Sequence, residues 1–160
     1  MAHIERAAVE DVLTIKELLR ETWQDTYESL LPQAALETIT SQWHAPELLT
    51  EQMQNPDVYF AIARDGKVVA GVITAREEDD AIVVNRLYVR PQYQRRGIGQ
   101  QLLESSYRAF RTAQRVRLMV EAENLKGLAF YTKHGFRETG RTTEQIAGVC
   151  LENVVMERPL

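Results

Sequence analysis

With a single cysteine, Cys150, the chain of 160 residues has no internal disulfide available and must be held together by burial. Five prolines and eight glycines are too few, and too scattered, for a low-complexity or linker segment. No apolar run approaches the roughly 18 to 20 residues needed to cross a bilayer, and the N-terminus carries charged residues where a signal peptide would be apolar. The expectation is a cytoplasmic protein with no membrane partner. Three histidines, His3, His44 and His134, stand far apart without metal-ligand spacing, so no metal is expected.

What is present is ordinary globular material. Apolar residues make up 44% and charged residues 26%, and the length suits one domain spanning residues 1–160. The net charge of −4 argues against nucleic-acid binding, but it hides a division. Residues 1–80 carry 16 acids against 6 Lys/Arg, a balance of −10; residues 81–160 carry 7 against 13, a balance of +6. Two explanations stand: solvated faces interleaved in space, or an anionic ligand on C-terminal elements and a cationic one on N-terminal elements.

Hydrophobic spacing orders the chain. His3 to Arg6 reads as extended, and Val9, Val12, Leu13, Ile15, Leu18 and Leu19 as one face of a helix ending near Trp23. Pro32 and Pro46 open two further helices, with Leu36 and Ile39 facing inward in the first of them. Val58 to Ala63, Val68 to Ala75 and Ala81 to Val89 form a meander turning at Asp65-Gly66 and within Glu77 to Asp80. A glycine-opened helix then runs to about Ala113, with Leu102, Leu103, Ser106, Ala109 and Phe110 inward. A strand over 117–120, a helix over 126–133 stopped by Gly135, and a closing pair over 136–143 and 149–157 complete an α/β chain. Cys150, within a strand pattern, is expected to be buried.

Leu87 to Gly99 is the stretch with the most chemistry. A strand end, a short loop and a glycine-opened helix gather backbone N–H groups at the positive end of a helix dipole, where phosphate can bind. Between Ala81 and Leu103 there are four arginines and no acid. A Walker A loop would need Gly-Lys-Ser/Thr, which is absent. A Rossmann fingerprint would need glycine at 102, which is Leu, although Glu121 stands where its acid would.

Gln94-Arg95-Arg96-Gly97-Ile98-Gly99, preceded by Leu87-Tyr88-Val89, resembles the signature of the GNAT superfamily of N-acetyltransferases. A second family motif follows in order: Asn124, Phe130-Tyr131 and Lys133-His134-Gly135-Phe136. The resemblance implies an α/β fold with a mixed, mostly antiparallel sheet, its central strands splayed and flanked by helices, and acetyl-CoA as cosubstrate. It implies that Leu87, Tyr88 and Val89 meet the pantetheine, Arg95, Arg96, Gly97, Ile98, Gly99 and Gln100 the pyrophosphate, with Gln94, Asn124, Tyr131 and Lys133 completing the coenzyme site. Both glycines are read as places where backbone must approach that pyrophosphate. Glu21 to Tyr27, followed by Leu30-Leu31-Pro32, further resembles a bacterial subgroup containing PaiA-type polyamine acetyltransferases.

The implied activity is acetylation of a primary amine, of which a small cationic amine is favoured, by direct attack on the thioester. Tyr131 matches the proton donor to the departing thiolate, the alternative being an aromatic that packs beside Phe130. Val89 would polarise the carbonyl. Trp23, Tyr27 and Asn85 are candidates for the acceptor pocket, although Trp23 and Tyr27, like Trp43, equally suit a core. Relatives often place a glutamate before Leu-Tyr-Val; here the positions hold Val83 and Asn85, and no base is assigned beyond a water chain to Glu28 or Glu121. A peptide or lysine acetyltransferase, and a non-catalytic acyl-CoA sensor, stay as rival functions. A homodimer, common among relatives, stays open.

Overall fold

The computed structural model describes residues 2–160. In chain order the elements are β1 (His3–Arg6), α1 (Val12–Tyr27), α2 (Gln33–Trp43), α3 (Pro46–Gln54), β2 (Val58–Asp65), β3 (Val68–Glu78), β4 (Ala81–Val89), α4 (Ile98–Ala109), β5 (Arg115–Glu121), α5 (Leu125–Lys133), β6 (Arg137–Ile146) and β7 (Val149–Pro159). Seven strands form one sheet in the order β1-β2-β3-β4-β5-β7-β6. Every neighbouring pair is antiparallel except β4 with β5, which is parallel. The expected order of elements and the mixed α/β class both hold.

Alternation along the strands divides the core. Ala61, Ala63, Ile73, Ala75, Ile82 and Val84 face α4, where Ile98, Leu102 and Leu103 meet them. Phe60, Ile62, Val69 and Val72 face the other way, onto Ile15, Leu18 and Leu19 of α1 and Leu49 of α3. Gly71 permits the close approach of α4: a β carbon there would stand 3.0 Å from Leu102 Cδ1 and 3.1 Å from the Tyr88 carbonyl oxygen.

Several expectations shift. Val9 and Leu13 are exposed rather than inward, because Val9 lies in a short 3-10 turn before α1. Leu13 sits two residues from Ile15, about 200° around the helix, so it points away from the sheet. The helix itself runs on to Tyr27. In the first hairpin Asp65 still pairs with Val68, so Gly66 and Lys67 make the turn, with Gly66 at φ +61. Helix α4 stops at Ala109, which is exposed. Cys150 is exposed too, since it follows the Ala147-Gly148 turn at the tip of the closing hairpin.

Candidate active site

The site begins where two strands part. β4 pairs with β5 only from Ala81↔Arg115 to Val84↔Leu118, whereas β4 stays with β3 to Val89 and β5 stays with β7 to Glu121. Beyond Val84 and Leu118, each strand therefore has a partner on its outer side and an open edge facing the gap. A register shift marks the parting: Thr74 pairs with Arg86 and Ala75 with Val84, leaving Asn85 bulged and exposed. Such a bulge bends its strand and increases the local twist. The Arg90 N–H donates to the Ala70 carbonyl at 2.8 Å, so Arg90 points toward β3. Antiparallel alternation then turns the N–H and C=O of Val89 and Leu87 into the gap.

One end of the gap runs into the loop before α4. Arg95 holds φ +63 and Gly97, the N-cap, holds φ +80. No side chain among the described residues caps the helix, and its first bond is from the Gln101 N–H to the Gly97 carbonyl at 3.0 Å. The N–H groups of Ile98, Gly99 and Gln100 thus have no acceptor within the helix, at its positive end. The two glycines have different jobs. Gly97 has open space around it and is required by its backbone conformation; Gly99 lies under the Phe130 ring, 3.1 Å from where a β carbon would sit. The approach of α5 to α4, rather than free access for a ligand, is what Gly99 permits.

The four arginines separate. Arg90 pairs with Glu21 and donates Nε to the Val69 carbonyl at 2.8 Å. Arg86, unassigned from sequence, is buried and donates to the Trp43 carbonyl at 2.8 Å and to Gln52 Oε1 at 2.5 Å. Burial lowers its pKa. Only Arg95 and Arg96 are exposed beside the loop, with Arg96 stacked over Tyr93 at 5.1 Å. A lone strand arginine gives no sequence sign of such burial. Gln94, exposed, braces the loop by donating to the Val89 carbonyl at 3.0 Å.

Aromatic side chains gather around the gap. The Tyr131 ring lies 5.2 Å from Phe130 and 5.4 Å from Phe136. Burial, reinforced by the Tyr88 and Tyr107 phenols, pushes its pKa above the usual phenol value, so Tyr131 keeps its proton at neutral pH. The Tyr27 hydroxyl is likewise pushed up by burial and senses Tyr88, Glu121 and Tyr131, with the Asn124 amide close enough to favour its ionised form. Trp23 is only 5% exposed and lies 4.6 Å from Tyr27 and 6.4 Å from Tyr88, so it packs as core behind both. Its buried indole N–H has no hydrogen-bond partner among the described residues.

Asn124 has structural work of its own. Its Oδ1 accepts from the Gly127 N–H at 3.0 Å and caps α5, which fixes the helix that carries Tyr131. Lys133, at the far end of α5, lines a cavity of about 410 Å3 with Gln100, Tyr107, His134 and Arg158, beside the start of α4. Among the described residues no cluster of three or more His, Cys, Asp or Glu could hold a metal. No helix among them is long and apolar enough to cross a membrane.

A profile of the acetyltransferase (GNAT) domain matches residues 24–157. The chain belongs to the GNAT acetyltransferase family. It is similar to a spermidine N(1)-acetyltransferase of Thermoplasma acidophilum, 29% identical over 140 residues that cover 84% of this chain and 87% of that one. The crystal structure of a PaiA N-acetyltransferase from the same organism, in complex with coenzyme A, superposes with a TM-score of 0.87 at 25% identity, covering 100% of this chain and 99% of that one. The ribosomal-protein-S18-alanine N-acetyltransferase of Escherichia coli shares the fold, with a TM-score of 0.75 at 18% identity over 99% of this chain and 94% of that one. As a GNAT acetyltransferase the protein uses acetyl-CoA as its acetyl donor.

Proposed function

We propose that this GNAT acetyltransferase moves the acetyl group of acetyl-CoA to the primary amine of a small cationic acceptor, with polyamines as the favoured class, by direct attack. The observation that carries the reading is the parted edge of β4, where the Leu87 backbone and the Val89 N–H face a gap bordered by the protonated Tyr131 phenol, no strand pairing with them there. An amide-bearing pantetheine satisfies such an edge as a short substitute strand. The backbone of Arg95 to Gln100 then receives the pyrophosphate at the start of α4, and the cavity holding Lys133, His134 and Arg158 suits the phosphorylated nucleotide end.

In this reading the Val89 N–H polarises the thioester carbonyl and Tyr131 gives its proton to the sulfur as the C–S bond breaks. Tyr27 and Asn85 border the side from which the amine enters. A polyamine acceptor is supported by the similarity to a spermidine N(1)-acetyltransferase and by the acid excess of the N-terminal half. Cytoplasmic residence accompanies the reading, supported by the exposed, unpaired Cys150, which an oxidising compartment would leave open to intermolecular pairing.

A screen of thiol release from acetyl-CoA tests it, with spermidine, putrescine, aminoglycosides, amino acids and peptides as acceptors. Polyamines should give the highest kcat/KM. A preference for peptides or neutral amines would overturn the acceptor assignment, and no turnover with any amine would overturn the enzyme's proposed reaction.

A further inference from the structure

An amine that is an ammonium ion in solution must lose a proton before it can attack, and β4 offers no group to take it. Val83 and Asn85 are neutral, and Asn85 faces solvent on its bulge. Glu28 is exposed and turned back along α1, where its carboxylate accepts from Gln24 Nε2 at 3.4 Å. On the opposite side of the gap the position differs. Val116, Leu118 and Val120 of β5 are buried in the core beneath α4, so alternation sends the next residue, Glu121, to the other face, the face covered by α1. Glu121 ends β5 three residues past the last β4–β5 pair, and so stands at the mouth of the gap.

Its placement is fixed. Glu121 is half-buried, its Oε2 accepts from the Glu123 N–H at 2.8 Å, and its backbone is tied to Asn153 of β7 by register. Tyr27, at the end of α1, is within electrostatic reach of both this carboxylate and the Tyr131 phenol. The charged and titratable groups around Glu121 are Tyr27 from α1, Glu123 in the following turn and Glu152 on β7. Glu152 is itself paired with Arg141 of β6 at 2.9 Å.

We propose that Glu121 is the group that removes the proton from the incoming ammonium. The assignment rests on the acetyltransfer reading above. Burial, together with the Glu123 and Glu152 carboxylates, holds Glu121 above the usual carboxylate range, which brings it closer to the pH at which a base works best. The ammonium gives one proton to the Glu121 carboxylate. The freed nitrogen lone pair forms the C–N bond at the thioester carbonyl, the C–S bond breaks, and the sulfur takes the Tyr131 phenolic proton. The resulting phenolate recovers the second proton of the attacking nitrogen. Glu121 releases its proton to water, so each turnover converts an ammonium and acetyl-CoA into an amide, a thiol and one proton.

Glu121→Gln keeps size, packing and an oxygen to accept the Glu123 N–H. With spermidine as acceptor, the single-turnover rate at pH 7 should fall by about 10²-fold, the usual worth of a positioned base, while coenzyme A affinity and the KM for spermidine stay within threefold. The inflection that the carboxyl gives the wild-type kcat/KM profile on its acid side should be lost in the variant. The variant's rate should instead climb about tenfold per pH unit without that break as free amine accumulates, narrowing the difference at high pH. Glu121→Asp should recover part of the rate. A purely structural role would give a loss that does not narrow with pH, and an anchoring role would raise KM at constant kcat; either result overturns the proposal, as does an unchanged rate. If the wild type itself acetylates no amine, both the reaction and this assignment fall. If it acetylates spermidine and the variant matches it, only this assignment does.

Discussion

The two halves of β4 share a strand and a neighbour in β3, yet they meet opposite conditions on their second edge. Ala81 to Val84 are closed in by β5, and Ala81 and Ile82 are fully buried. Asn85 to Val89 keep β3 on one side but have no strand on this second edge, where only the Val89 carbonyl is met, by the Gln94 amide, among the described residues. One half lowers the free energy of the folded chain; the other carries hydrogen-bonding capacity that no neighbouring strand fills, the capacity the proposed reading gives to the cosubstrate. The bulge at Asn85 is the boundary, so stability and chemistry are set by adjacent residues of one strand and should respond separately to mutation.

The sharpest separation is expected at Ile82. Ile82→Ala empties part of the closed half and should cost about 2 to 5 kcal/mol in urea unfolding. Coenzyme affinity of the folded fraction should hold, and a parallel loss would show that the halves are mechanically one. Tyr131→Phe is the converse, removing one oxygen while leaving the ring between Phe130 and Phe136. Its single-turnover rate should fall by about 10²-fold, or about 2.7 kcal/mol, with the urea midpoint nearly unchanged. A wild-type rate would make Tyr131 a packing residue.

Gly97→Ala tests the loop end of the open half. Its φ of +80 disfavours a β carbon by about 1 to 2 kcal/mol, so calorimetry should show coenzyme A binding weakened by about tenfold. Retained affinity would mean that the left-handed turn is dispensable for the anion site.

Acid should act gradually, one pH unit at a time, and from beneath. His44 is buried, packs 5.7 Å from Trp23, and has its pKa pushed down to about 3 by burial and by the Arg86 charge. The unfolded chain protonates this imidazole near its ordinary value of 6.5 while the folded chain does not, so its contribution is complete above pH 6.5 and shrinks as pH falls toward 3. Stability should drop by about 1.4 kcal/mol per pH unit in that window. Urea unfolding of His44→Gln should show a shallower dependence; an equal slope would assign the acid sensitivity to other groups.

Much of this was readable from the sequence because it rests on local rules. Ala81 to Val89 and the helix starts at Pro32 and Pro46 follow from β-branched runs and proline, and Gly97 and Gly135 both adopt the positive φ that glycine favours. Non-local facts were hidden. Arg86 looks like any strand cation until Trp43 and Gln52 arrive from α2 and α3, and the burial of Trp23 depends on Tyr88 and His44. Glu121 reads equally as a solvent-facing strand end; only the parting of β4 from β5 and the position of Tyr27 make it a wall of the gap.

The contact between Gly99 and Phe130 ties the uncapped start of α4 to the helix that carries Tyr131, one residue along. Drift at these two positions is therefore joint. A side chain at 99 stands 3.1 Å from the ring and pushes α5, and with it the phenol, outward by a few tenths of an ångström unless residue 130 shrinks at the same time. Descendants of this sequence that lose the glycine should be found carrying a smaller residue beside their tyrosine, since those that change only one of the pair keep the start of α4 and shift the phenol relative to it.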